Sequence, residues 1–218
     1  MNKTRILCYG DSNTWGYNAV TGQRFDDDER WTQLIAQELG QGFMVIEEGL
    51  SGRTTVFDDP VTEGLSGIAH LAPILGSHSA LDLLVVMLGT NDCKQRFAAT
   101  SQNIADGMRR LVKKAQACEV WRASPMVLIV APIIIDRKVY TVPRINESMG
   151  EGCAEKSERL PELLKTTAIE CGCHYLDANE VVSVNTIDYM HFDAQSNQKF
   201  SQLLSEKIRQ IIDRKMEY

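Results

Sequence analysis

No stretch of this 218-residue sequence stays apolar for anything near the length that crosses a bilayer, and its basic residues gather into no patch. The first absence argues against a membrane span. The second, with a net charge of −6 and a pI near 5.3, removes the electrostatic case for nucleic acid or an anionic membrane as partner. The apolar run near the N-terminus is too short for a signal-peptide core, so a cytoplasmic location is expected. The sequence has six cysteines but no pattern that pairs them. Cys8, Cys93 and Cys118 sit in or beside apolar runs as small hydrophobes, while Cys171-Gly-Cys173 has a one-residue spacer and no second pair. Neither a structural metal nor a disulfide is expected. A G-x-G-x-x-G after the first apolar run and a P-loop are both missing, which argues against a nucleotide- or flavin-binding module. Repeats, low-complexity tracts and Pro/Ser-rich linkers are absent too, so residues 1–218 read as one domain.

What the chain does have is alternation. Strand-like runs lie at Arg5–Tyr9, Phe43–Glu47, Leu81–Leu88, Met126–Ala131 and, more weakly, His174–Leu176. The third and fourth are almost continuously apolar, as parallel strands covered on both faces are. Helical stripes fall between them: Trp31, Leu34, Ile35 and Leu39; Ile104, Met108, Leu111, Val112 and Ala115; and Phe200, Leu203, Leu204, Ile208, Ile211 and Ile212. Leu65–Leu75 reads as a short helix, and Gly152–Glu170 as one that Pro161 must kink or break. The pattern predicts a three-layer α/β/α sandwich around a mainly parallel five-stranded sheet. Ligands of such sheets gather at the carboxyl ends of the strands.

Three of those ends carry polar blocks: Gly10-Asp11-Ser12-Asn13, Glu48-Gly49-Leu50-Ser51-Gly52-Arg53 and Gly89-Thr90-Asn91-Asp92. A fourth block, Asp188-Tyr189-Met190-His191, precedes the last helix. Each alone reads as an ordinary turn or cap. Together they hold the parts of an acyl-transfer site. A serine needs a neighbouring base to become nucleophilic, and histidine has the suitable pKa. A carboxylate on the other ring nitrogen fixes the tautomer, and Asp188 and His191 could meet across one helical turn. The N–H groups of Ser12 and Gly52 and the amide of Asn91 could face a developing oxyanion.

In that order and on those strand ends, GDSN, the Gly52 loop, GTND and D-x-x-H resemble the four blocks of the SGNH (GDSL-type) hydrolases. The resemblance spans residues 5 to 212, and VIEEGLSGRTT and LLVVMLGTNDCK are most similar to the mycobacterial arylesterase/acyltransferase branch. It implies a flavodoxin-like sandwich with no metal or other cofactor, acting on a small ester, with Ser12 as nucleophile, His191 as base and then acid, and Asp188 as its orienter. Ser12, Gly52 and Asn91 would form the oxyanion hole. Asn13 departs from the family, standing where its name-giving leucine would be. The branch also implies a homo-oligomer, an octamer being the form it suggests.

Other residues carry weaker expectations. Trp15 could wall an acyl pocket or pack into the core, and Lys94, Met190 and Phe192 flank catalytic positions as candidate substrate contacts. Asp11 and Asp92 are expected to tie loops. The acidic run Asp26-Asp27-Asp28-Glu29 is expected to cap the helix holding Trp31, and Asp58-Asp59-Pro60 to make a turn. His70, His78 and His174 have no suitably spaced acidic partners. Ile133–Gly150 lacks a clear period and follows the fourth strand, so it is expected to shape the substrate entrance or a subunit contact.

Overall fold

The computed structural model describes residues 3–216. Five strands, β1 (Thr4–Gly10), β2 (Phe43–Gly49), β3 (Leu83–Met87), β4 (Val127–Ala131) and β5 (His174–Asp177), form one parallel sheet in the order β2-β1-β3-β4-β5. All five expected strands are present. The third is shorter than its apolar run because Leu81 leaves the ladder to bridge Trp121. The helices are α1 (Ser12–Trp15), α2 (Trp31–Leu39), α3 (Gly67–Ser77), α4 (Ser101–Gln116), α5 (Pro143–Met149), α6 (Cys153–Glu158), α7 (Leu160–Glu170) and α8 (Ala194–Met216).

Strand alternation sorts the core into two layers. Leu7, Tyr9, Leu84, Val86 and Ile129 pack beneath α3, α4 and α7, against Leu71, Ile104, Leu111 and Leu164. Ile6, Cys8, Leu83, Val85, Leu128 and Val130 face α2 and α8, against Trp31, Ile35, Phe200, Leu204 and Ile208. Buried on both faces, the central strands must be apolar throughout, which explains their sequence. None of the described helices is long and apolar enough to cross a membrane.

Two expectations are corrected, on the acidic run and on the stretch 133–150, and the break required by Pro161 is found. The acidic run does not cap α2: the cap position is Arg30, no acidic residue lies in the first turn, and the Asp26 carbonyl instead accepts the N–H groups of Glu29 and Arg30 in a preceding turn. Residues 152–170 form two helices broken at Arg159, with Pro161 in the first turn of α7, where its missing N–H costs nothing. The stretch 133–150 is more ordered than its lack of period suggests: a 3-10 turn, Arg137–Thr141, is followed by α5, which opens on Pro143.

The chain leaves β1 toward β2 on one side, while β3 lies on the other. Crossovers diverge at this point, so the carboxyl ends of β1 and β3 leave a crevice between them.

Candidate active site

Ser12 opens α1 at the carboxyl end of β1. Asp11 caps it, its Oδ1 accepting the Asn13 N–H at 3.0 Å. A Cβ on Gly10 would collide with the Thr14 hydroxyl, so this glycine lets α1 fold tightly against the strand end. Burial, only partly offset by that N–H and by His191, raises the Asp11 carboxyl above its ordinary value.

Ser12 Oγ lies 2.8 Å from His191 Nε2, across 179 positions of sequence. His191 Nδ1 lies 2.7 Å from Asp188 Oδ2. Asp188 Oδ1 accepts three further N–H groups, from Asn185 Nδ2 at 2.8 Å and from the backbones of Met190 and His191, both at 3.1 Å. Burial alone would push Asp188 up; His191 and the converging donors outweigh it and hold the carboxyl below its usual range. With Asp188 accepting an Nδ1 proton, neutral His191 presents a bare Nε2 to the serine hydroxyl. Asp188 and His191 do not meet across a helical turn as expected. The loop turns through Tyr189 at φ +61°, which brings both following N–H groups onto one carboxylate oxygen.

Asn13 connects the two ends of the chain. Its Oδ1 accepts the Phe192 N–H at 2.9 Å and its Nδ2 approaches the Met190 carbonyl at 3.4 Å, so one amide holds both residues that flank His191. The Asn13 carbonyl in turn accepts Trp31 Nε1 at 2.8 Å. Tyr17 lies against the imidazole, with ring centroids 4.6 Å apart.

Gly52 and Asn91 border the same pocket, a cavity of about 350 Å³ that also contains Ser12 and His191. Gly52 has φ +90°, a conformation that favours glycine. Asn91 Nδ2 donates to the Arg53 carbonyl at 3.2 Å and lies 3.5 Å from Asp11 Oδ2, so its second proton is weakly held. Asp92 ties the loops, accepting the Thr55 N–H and hydroxyl. Burial pushes its carboxyl up to about 6.

Lys94 and Met190 line the pocket as expected of substrate contacts. Trp15 and Phe192 do not. Trp15 lies under the Arg24 guanidinium, 5.7 Å from ring centroid to carbon, because the chain leaves α1 at Gly16 and it is Tyr17 that returns to the imidazole. Phe192 is 2% exposed and packs on Phe200 within the α2/α8 core, contributing only its backbone N–H near the site.

Sequence reasoning missed several residues of the wall. Asp59 forms no mere turn: it is buried between Lys94 Nζ at 3.6 Å and Arg96 Nε at 3.5 Å. Ile145, Ser148 and Met149 of α5 line the pocket, and their i, i+3, i+4 spacing after Pro143 was the available signal. His78 has an acidic partner after all, Glu48 Oε1 at 2.8 Å. Among the described residues no group of three or more His, Cys, Asp or Glu side chains could hold a metal.

The model of the GDSL-like lipase/acylhydrolase family matches residues 8–202. The native aryl esterase of M. smegmatis is 37% identical, with a TM-score of 0.89 over 95% of this chain and 99% of that one. A carbohydrate acetylesterase from Sinorhizobium meliloti is 36% identical, with a TM-score of 0.88 over 96% of this chain and all (100%) of that one. A lipolytic G-D-S-L protein from Veillonella parvula, 16% identical with a TM-score of 0.66 over 93% and 97% of the two chains, shares the fold. No curated protein sequence matches.

Proposed function

The chain belongs to the GDSL-like lipase/acylhydrolase family, the SGNH hydrolases, and from that premise we propose that it is a serine esterase releasing small acyl groups, acetyl above all, through an acyl-enzyme. The observation that carries the reading is the hydroxyl–imidazole–carboxylate chain, with links of 2.8 and 2.7 Å.

Ser12 Oγ attacks the ester carbonyl as its proton passes to His191 Nε2, and Asp188 stabilises the imidazolium that forms. The carbonyl oxygen takes up negative charge facing the Ser12 and Gly52 N–H groups and the loosely held proton of Asn91 Nδ2. Collapse expels the alkoxide, which takes the proton from His191 and leaves as alcohol. Water then attacks the acyl-serine with His191 as base, and the acid departs as the proton returns to Ser12. An alcohol in place of water would give transesterification, the acyltransferase activity that the resemblance implies.

The test is hydrolysis of p-nitrophenyl acetate by the parent and by Ser12→Ala. Loss of a triad nucleophile lowers kcat by roughly 10⁶-fold, leaving only the acceleration that the oxyanion hole and substrate binding supply. Equal rates in the two proteins would end the reading.

A second reading, removal of O-acetyl groups from carbohydrate, is favoured by the Sinorhizobium meliloti relative, itself a carbohydrate acetylesterase. It uses the same catalytic steps, since the four blocks bind only the reacting carbonyl. Comparing kcat/KM for an aryl acetate, an acetylated sugar, an acyl-thioester and a lysophospholipid distinguishes it from the aryl, thioesterase and lysophospholipase alternatives.

A further inference from the structure

The charge on the pocket wall is unlike that of the protein. Against an overall −6, the wall beside Ser12 holds two cations, Lys94 and Arg96, and one carboxylate, Asp59. The three leave one positive charge.

Their mutual geometry is loose. Lys94 Nζ and Arg96 Nε both approach Asp59 Oδ2, but at 3.6 and 3.5 Å, where charge-assisted hydrogen bonds run nearer 2.7–2.9 Å. Asp59 Oδ2 is buried without a hydrogen bond, while Oδ1 accepts the Val61 N–H at 3.0 Å. The Lys94 side chain is only 8% exposed, and among the described residues its ammonium has no closer ionic partner than Asp59. Burying an ammonium is costly unless its donors are used. Burial, with Arg96 beside it, accordingly lowers the Lys94 pKa from its usual value. An adjoining cavity shares Tyr17, Ile145 and Ser148 with the pocket and adds one cation, Arg144, and one carboxylate, Asp188, so it leaves the charge balance unchanged.

Resting on the esterase reading above, we infer that the natural substrate is an ester that itself bears a carboxylate, held by Lys94 and Arg96 beside Asp59. A monoanion matches the single surplus charge and would supply the short acceptor that these two donors lack. Arg96 offers a planar fork to a carboxylate, and Lys94 a point charge.

Two matched pairs of esters test this. In 4-acetoxybenzoate and its methyl ester the anion, or its neutral replacement, sits on the leaving group. In mono-p-nitrophenyl adipate and its methyl ester it sits on the acyl group, too far along the chain to close a five-membered anhydride on the ester. Each kcat/KM is divided by the uncatalysed rate at the same pH, and the parent is compared with Lys94→Met and Arg96→Gln. In at least one pair the parent prefers the anion by about tenfold, the size of one charge-assisted contact, and either substitution lowers that preference. Added salt shrinks it in the parent as well, because a partly exposed ionic attraction is screened. This salt series decides the matter even where a substituted protein fails to fold. No preference in either pair, or one that neither salt nor substitution lowers, overturns the inference while leaving the esterase reading intact. If none of the four esters is hydrolysed, or Ser12→Ala hydrolyses them as well as the parent, the esterase reading fails and the inference falls with it.

Discussion

Two walls of one pocket differ in how completely their polar atoms are engaged. Along the acid–base wall, Ser12, His191 and Asp188 are joined at 2.8 and 2.7 Å, and Asp188 Oδ1 collects three more N–H groups within 3.1 Å. Along the cationic wall, Lys94, Asp59 and Arg96 stand 3.5–3.6 Å apart. The first wall is finished before any substrate arrives. A preorganised site of that kind spends no free energy rearranging its dipoles as charge moves in the transition state. The second has donors in reserve, as a surface does that completes its contacts on the ligand. On the proposed reading, chemistry and selectivity would be built from different materials: a hydrogen-bonded set on one wall, under-used ions on the other.

The sharpest way to break that contrast is Asp188→Asn. Three donors converge on Oδ1, so the new amide would keep its oxygen there and turn its NH₂ toward His191 Nδ1. The ring would then carry its proton on Nε2 and could not accept the one from Ser12. We expect kcat to fall by about 10⁴-fold with KM little changed. A loss of only a few-fold would mean that the tautomer is set elsewhere and that the finished wall is less exacting than its distances imply.

Asn91→Ala comes next. It removes one candidate oxyanion donor and frees the Arg53 carbonyl, and it should cost about 10²–10³-fold in kcat for p-nitrophenyl acetate. If KM rises while kcat holds, the amide binds substrate in the ground state and belongs functionally with the cationic wall.

The acid–base wall was the more legible of the two in the amino-acid sequence, and the reason is physical. Ser12, Gly52 and Asn91 each stand within four residues of the end of a strand, and parallel topology brings adjacent strand ends to one rim; Asp188 and His191 share one short loop. Local signals therefore sufficed for the five strands and the four blocks. The cationic wall depends on loop paths instead: Asp59 and Lys94 meet through the fold of the segments after β2 and β3, which no periodicity records. Trp15 and Phe192 were ambiguous for a related reason, because whether an aromatic beside a catalytic residue faces pocket or core depends on the backbone's next turn. The acidic run at residues 26–29 misled because negative charge near a helix start suits its dipole whether or not it caps the helix. Helix α5 was overlooked because only Ile145 and Met149 of its seven residues are large apolar side chains after Pro143, so its helical spacing is faint.

Asn13 is where the contrast can be tested most finely. It stands in place of the family's leucine, a substitution that looks neutral in sequence because the position follows the nucleophile. In the folded chain its side chain holds the Phe192 N–H and the Met190 carbonyl, one on each side of His191, so the turn that displays the nucleophile also locates the base. Asn13→Leu would leave the buried Phe192 N–H without its acceptor, at a cost of about 1–3 kcal/mol in stability, visible as a lower Tm. If the clamp sets the approach of His191 to Ser12, kcat measured well below that Tm falls by roughly tenfold while KM stays near the parent value, since a small misplacement weakens proton transfer more than it weakens binding. An unchanged kcat alongside the lower Tm would show that the imidazole is located by Asp188 and its own loop alone. Asn13 would then be a stabilising contact between the chain ends, and the acid–base wall would owe its precision to one segment rather than two.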